Sequence, residues 1–191
     1  MSETLWFTPD DDANRFLTDS PLAVTIGMLL DQQVPMERAF NGPYTIARRM
    51  NATDVVAADI ADTDPDAFVA IMSEKPAVHR FPGSMGDRVQ KLCGFLVDNY
   101  SGDIEAMWRD VDSGAELLRR IGELPGFGKQ KSQVFLALLG KRFGVTPPGW
   151  REAAGSYGEA DVFRSIADVT GPESLEKVRE TKKAAKQKAK G

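Results

Sequence analysis

A single cysteine, Cys93, and a single histidine, His79, are all that 191 residues offer as thiol or imidazole groups. One cysteine permits no intramolecular disulfide and cannot supply the four thiolates of an iron–sulfur cluster. One histidine excludes a histidine-rich metal site, and standing alone it reads as a loop residue before a general base. No metal or other cofactor is therefore expected. No apolar run approaches the roughly 20 residues of a membrane span, and Met1-Ser2-Glu3-Thr4 carries no basic leader pattern. The expectation is a cytoplasmic protein with no membrane contact. Period-two alternation is also scarce, which argues against sheet.

What is present is a 42% hydrophobic content, enough to bury one substantial core or two small ones. The apolar residues recur at helical spacing, predicting an all-α chain with helices near 10–16, 22–30, 36–40, 44–49, 54–61, 64–72, 85–99, 104–108, 114–122, 129–143, 150–154, 162–169 and 172–188. Start signals accompany several of them: Asp19-Ser20-Pro21, Thr53-Asp54 and Thr63-Asp64-Pro65 each set a capping side chain at a helix entrance. Met28, Met36 and Met50 read as core filler.

The net charge of −4 is unevenly spread. Acids gather at Asp10, Asp11, Asp12 and Asp19 and again from Asp54 to Asp66, whereas Leu124 to Trp150 contains no acid and carries Lys129, Lys131, Lys141 and Arg142. Local field decides where a polyanion docks, so the acidic total does not exclude one. Lys141 and Arg142 end a predicted helix, where cations complement its dipole, and read as a solvated face. Residues 182–190 form a lysine-rich low-complexity tail, either a solubilising terminus or an extra attraction for a polyanion.

The most informative segment is Leu117 to Gly144. Leu117, Leu118, Ile121 and Leu124 keep helical spacing, Pro125-Gly126-Phe127-Gly128 interrupts it, and Val134, Phe135, Leu138 and Leu139 resume it. The pattern predicts two helices joined by a tight turn in which Gly126 can take positive φ and Gly128 leaves the backbone bare. The second helix then opens with free amides beside Lys129 and Lys131, a setting suited to phosphate.

Leu124-Pro125-Gly126-Phe127-Gly128 with its lysine-rich helix start resembles the helix-hairpin-helix of the HhH-GPD superfamily, the endonuclease III type of base-excision DNA glycosylase. Two further segments are similar to that family: Leu22 to Leu30 running into Asp31-Gln32-Gln33-Val34-Pro35, like the early helix and its duplex-probing glutamine turn, and Phe81 to Leu92, like the loop and helix before the hairpin. The resemblance implies a helical barrel domain over 20–144, a second helical domain from 1–19 with 145–180, and a basic tail over 181–191. It implies a monomeric, DNA-binding repair protein of a branch without the iron–sulfur cluster, acting on lesion-containing duplex. The expected DNA contacts are Gly126, Phe127, Gly128, Lys129, Gln130, Lys131 and Gln33.

Bifunctional members form a Schiff base through a lysine where this chain has Gln130, so no lyase nucleophile is expected. The family's carboxylate beyond the hairpin is replaced by Val145-Thr146-Pro147-Pro148-Gly149-Trp150. Asp31 and Glu152 are the candidate substitutes, with a capping or solvated role the plainer reading of Asp31. Trp150 reads as a buried anchor before a stacking platform. The expectation is a monofunctional N-glycosylase; a non-catalytic DNA-binding module on the same scaffold, or a protein-interaction domain, stays open.

Overall fold

Eleven α-helices account for the architecture of residues 3–191, which the computed structural model describes: α1 (Asp11–Asp19), α2 (Pro21–Leu30), α3 (Met36–Arg49), α4 (Ala57–Asp62), α5 (Pro65–Ser73), α6 (Pro82–Tyr100), α7 (Ala106–Arg109), α8 (Gly114–Gly122), α9 (Lys129–Arg142), α10 (Trp150–Ala153) and α11 (Pro172–Lys190). Short 3-10 turns lie at Gly155–Gly158 and Ile166–Asp168, and the described residues contain no strand. None of their helices is long and apolar enough to cross a membrane.

Local chemistry starts several of these helices. Asp10 accepts from the amides of Asp12 and Ala13, Ser20 from Ala23 and Asp64 from Ala67, each a side chain meeting an amide the helix cannot satisfy. Thr53-Asp54 does not act this way: Asp54 turns to the amide of Val55, and α4 begins only at Ala57.

Tertiary packing overrides two sequence expectations. The predicted break around Gly42-Pro43 is absent, and α3 runs through Pro43 as one helix. Its face of Phe40, Gly42, Pro43, Ile46 and Ala47 is buried, and that burial offsets the roughly 3 kcal/mol a mid-helix proline costs. The fit is tight, since a Cβ on Gly27 would lie 2.5 Å from the Phe40 ring and one on Gly42 2.7 Å from Leu30. Conversely, the helix expected over 162–169 shrinks to one 3-10 turn. Asp161 adopts φ 57°, and the Asp168 carboxylate takes the amides of Arg164 and Ser165, closing a capping box instead of a helix.

α2 is the pivot: all but its first residue is buried. It lies along α3 and also touches α6 and α9, while α4 and α5 pack on α6, and α8, α10 and both 3-10 turns pack on α9. Buried apolar side chains from Leu5 to Val178 form one cluster. α1 sits on α3 and α2. Lys141 departs from the solvated face expected of it: it points inward to an Asp168 oxygen at 2.6 Å, with both side chains largely buried.

Candidate functional site

Two glycines make the α8–α9 hairpin, and they do different things. Gly126 has φ +87°, and a Cβ there would come 2.5 Å from Leu29 Cδ1, so this glycine lets the turn seat against α2. Gly128 has an ordinary extended backbone, φ −76° and ψ −178°, and nothing stands within 4 Å of where its Cβ would be. It leaves open space over the first turn of α9, which no side chain caps. Lys129 is exposed beside that opening. Phe127 turns the other way, buried against Phe135 with ring centroids 5.7 Å apart, and its amide is taken by the Leu124 carbonyl at 3.0 Å.

Lys131 departs from the phosphate-facing role. Its Nζ donates to the carbonyl of Met28 at 2.7 Å and lies 3.4 Å from that of Leu29, so its charge meets carbonyls at the C-terminal end of α2. Burial lowers its pKa, partly countered by Asp31. Lys131 is a strut that ties the hairpin helix to the turn that follows α2.

That turn is held from several sides. Gln32 Nε2 donates to the Leu29 carbonyl at 2.8 Å, and Gln32 Oε1 accepts from Arg88 at 3.0 Å. His79 lies in the loop between α5 and α6, as expected of it, and is buried there. Its Nε2 lies 3.1 Å and 2.9 Å from the carbonyls of Leu30 and Gln32, and its Nδ1 accepts from the Phe81 amide at 3.0 Å. These partners require a neutral ring protonated at Nε2, and burial accordingly lowers its pKa. With its neighbours fixed, Gln33 is exposed at φ 60°, a left-handed conformation that costs on the order of 1 kcal/mol or more for a non-glycine residue. Gln33 is thus presented outward from a turn pinned by Gln32 and His79.

Behind the turn a cleft of about 250 Å³ opens, lined by Asp31, Gln130, Lys131, Tyr157, Arg164 and Lys182 among others. Gln130 donates to the Tyr157 hydroxyl at 2.9 Å. Burial raises the Asp31 pKa, while Lys182 and then Lys131 oppose that shift. Neither lysine comes within ion-pair distance of Asp31 among the described contacts. The cleft thus holds one carboxylate in a partly desolvated place with two cations nearby but not bonded to it. Glu152 lies on the exposed face of α10 and does not line this cleft.

Comparison with protein-family models, curated proteins and solved structures gives no match to this chain. The site must therefore be read from its own chemistry.

Three cleft residues, Tyr157, Arg164 and Lys182, escaped sequence reasoning because they converge only through the packing of the segments after α9. Outside the cleft, Phe81 is 41% exposed ahead of α6 with the Arg80 guanidinium 5.2 Å from its ring centroid. Its signal was legible: an aromatic left outside the helix that its following proline opens. Trp150 is the anchor expected of it, with Gly140 making room: a Cβ there would lie 2.3 Å from the indole. Cys93 is buried in α6 with its thiol pushed up to about 12, which leaves no thiolate for chemistry.

Proposed function

We propose that this chain is a DNA-binding protein of the base-excision-repair type, acting as a monofunctional DNA N-glycosylase of the helix-hairpin-helix kind. The observation that carries the reading is the meeting of Asp31, Gln130 and Tyr157 in one cleft between the hairpin helix and the Gln33 turn. Phosphate oxygens of the duplex meet the open amides over Gly128 and the ammonium of Lys129. Gln33, an amide able to donate and accept, and Phe81, an exposed ring, face the base stack that the extruded nucleotide leaves. The nucleotide enters the cleft, where Tyr157 offers an aromatic edge and Gln130 a polar one.

The chemistry asked of the cleft is modest in atoms. The bond between C1′ and the base nitrogen breaks with its electron pair leaving on the base, positive charge builds on the sugar, and water adds at C1′. A carboxylate near that charge stabilises it and accepts the proton water gives up. Asp31 is the cleft's carboxylate among its described lining residues, and partial burial strengthens its field. With Gln130 at the lysine position and Lys131 bonded to carbonyls, the base is released by hydrolysis, leaving an abasic sugar in the strand, and not through a Schiff base.

The test is base release from duplexes bearing uracil, an alkylated base, an oxidised base or a mispair. Wild type releases base from at least one, and Asp31→Asn releases it at least about a hundredfold more slowly with unchanged duplex affinity. Salt-sensitive DNA retention without release by wild type from any of them replaces this reading with a non-catalytic DNA-binding module. No retention at all leaves a protein-interaction domain.

A further inference from the structure

The far half of α11 has no packing role. Leu175 and Val178 are its last buried side chains, and every residue from Arg179 onward is exposed. At about 100° per residue, Arg179, Lys182, Lys183, Lys186 and Lys190 fall within one arc of roughly 100°, and these residues do line a common groove. Lys188 projects from the opposite side. Arg179 is committed to Glu37 and Glu176. Among the described residues, the four lysines of the arc make no ion pair.

This groove is continuous with the Asp31 cleft. Lys182 lines both, and a third opening, lined by Gln130, Tyr157, Arg164, Lys182 and Lys186, joins them. Lysines spaced by four on one helix face repel each other, and among the described residues only Asp31, opposite Lys182, offsets any of that charge. A polyanion laid along the groove would.

Resting on the glycosylase-type reading of the cleft, we infer that the distal face of α11 is a second DNA-binding surface, which tracks the phosphodiester backbone of the strand whose nucleotide enters the Asp31 cleft. The residues from Lys182 to Lys190 rise about 12 Å, which spans two to three phosphates of one strand at their spacing of several ångströms. Backbone contacts of this kind carry no sequence information, so the arm adds affinity and register, not base choice.

The experiment measures the salt dependence of duplex binding by the full chain, Lys183→Ala/Lys186→Ala/Lys190→Ala and Lys188→Ala. The triple variant is expected to lower the log–log slope by about two to three units, at about 0.9 per phosphate contact on duplex, while Lys188→Ala leaves it nearly unchanged. The same titration on a single strand, where each contact is worth about 0.7, tells which form the arm grips. A slope unmoved in the triple variant, or one lost equally per charge in Lys188→Ala, overturns the inference while leaving the hairpin reading intact. Loss of wild-type DNA binding altogether removes both. Retention on anionic phosphatidylserine vesicles that falls in the triple variant, with duplex binding unmoved, assigns the face to a membrane surface instead. A readout free of variants is amide exchange in wild type: residues 181–190 should gain protection when duplex is added, and no gain overturns the inference.

Discussion

The start of α9 and the far end of α11 are both lysine-rich, yet the fold treats their charges in opposite ways. In α9, two lysines separated by one residue part company: Lys129 stays in solvent beside the open backbone of Gly128, and Lys131 turns in to the carbonyls of α2. In α11, four lysines share one face and none makes an ion pair among the described residues. One region spends a cation on holding a turn in place. The other pairs Arg179 with Glu37 and Glu176 and leaves its four lysines without an ion-pair partner among the described residues. The two regions meet at Asp31, which faces Lys182 from α11 and Lys131 from α9. Counting basic residues along a sequence cannot distinguish these fates, since a step of two along a helix is about 200° around it.

The largest expected effect is on Asp31, where the two basic regions converge. Asp31→Asn keeps size and polarity and removes the charge, so base release should fall by about a hundredfold or more without loss of binding. If Lys182 sets the field around this carboxylate, Lys182→Gln should raise the pH at which the rate climbs, because less positive charge then holds Asp31 ionised. A pH–rate profile unmoved by that substitution would separate α11 from the chemistry.

Next comes the strut. Lys131→Met strips the Met28 carbonyl of its partner in a half-buried place and should cost about 1–3 kcal/mol, read by urea titration. Lys129→Met should cost almost nothing in stability, because Lys129 is exposed. If both behave alike, the division between a structural and a free lysine fails. No borohydride-trapped adduct with lesion DNA is expected from wild type, because the Lys131 ammonium is engaged with carbonyls and Gln130 carries no amine.

A smaller effect belongs to the hairpin surface. Gly128→Ala puts a methyl group into open space without positive-φ strain, so the variant should fold normally and bind duplex more weakly. Lys129→Ala should flatten the salt slope by about one unit. Gly126→Ala is not an equivalent test. It meets both a φ of +87° and Leu29, and should lose stability before it says anything about DNA.

Legibility followed range. The hairpin could be read because its punctuation is local: Gly114–Gly122 is a helix with the predicted limits, and the break at Pro125 to Gly128 falls where glycine and proline require it. The glutamine turn was legible for the same reason. What escaped was set by contacts far along the chain. The continuity of α3 through Pro43 depends on packing against α2, and the inward turn of Lys131 depends on carbonyls about a hundred residues away. The cleft draws on positions 31, 130, 157, 164 and 182, which no window of sequence holds together.

The smallest effect is also the one that tells a working acid from a structural one. Asp31 caps the C-terminal end of α2, where backbone carbonyls already point, so a negative charge there opposes the helix dipole. Burial adds to the cost, and Lys182 and Lys131 recover only part of it, leaving the folded pKa above the ordinary carboxylate value. Below that ordinary value Asp31 is protonated in both folded and unfolded chains, and its charge contributes nothing. As pH rises through the window up to the raised folded value, the unfolded chain gives up its proton first, and folding loses stability. Above the window the loss is complete and constant. Asp31→Asn removes the titration, so its melting temperature relative to wild type should be higher at pH 7 than at pH 3. A variant that gains stability at neutral pH while losing base release would mark Asp31 as held for its chemistry against the interest of the fold. A variant less stable than wild type at pH 7 would return Asp31 to the role of a capping residue.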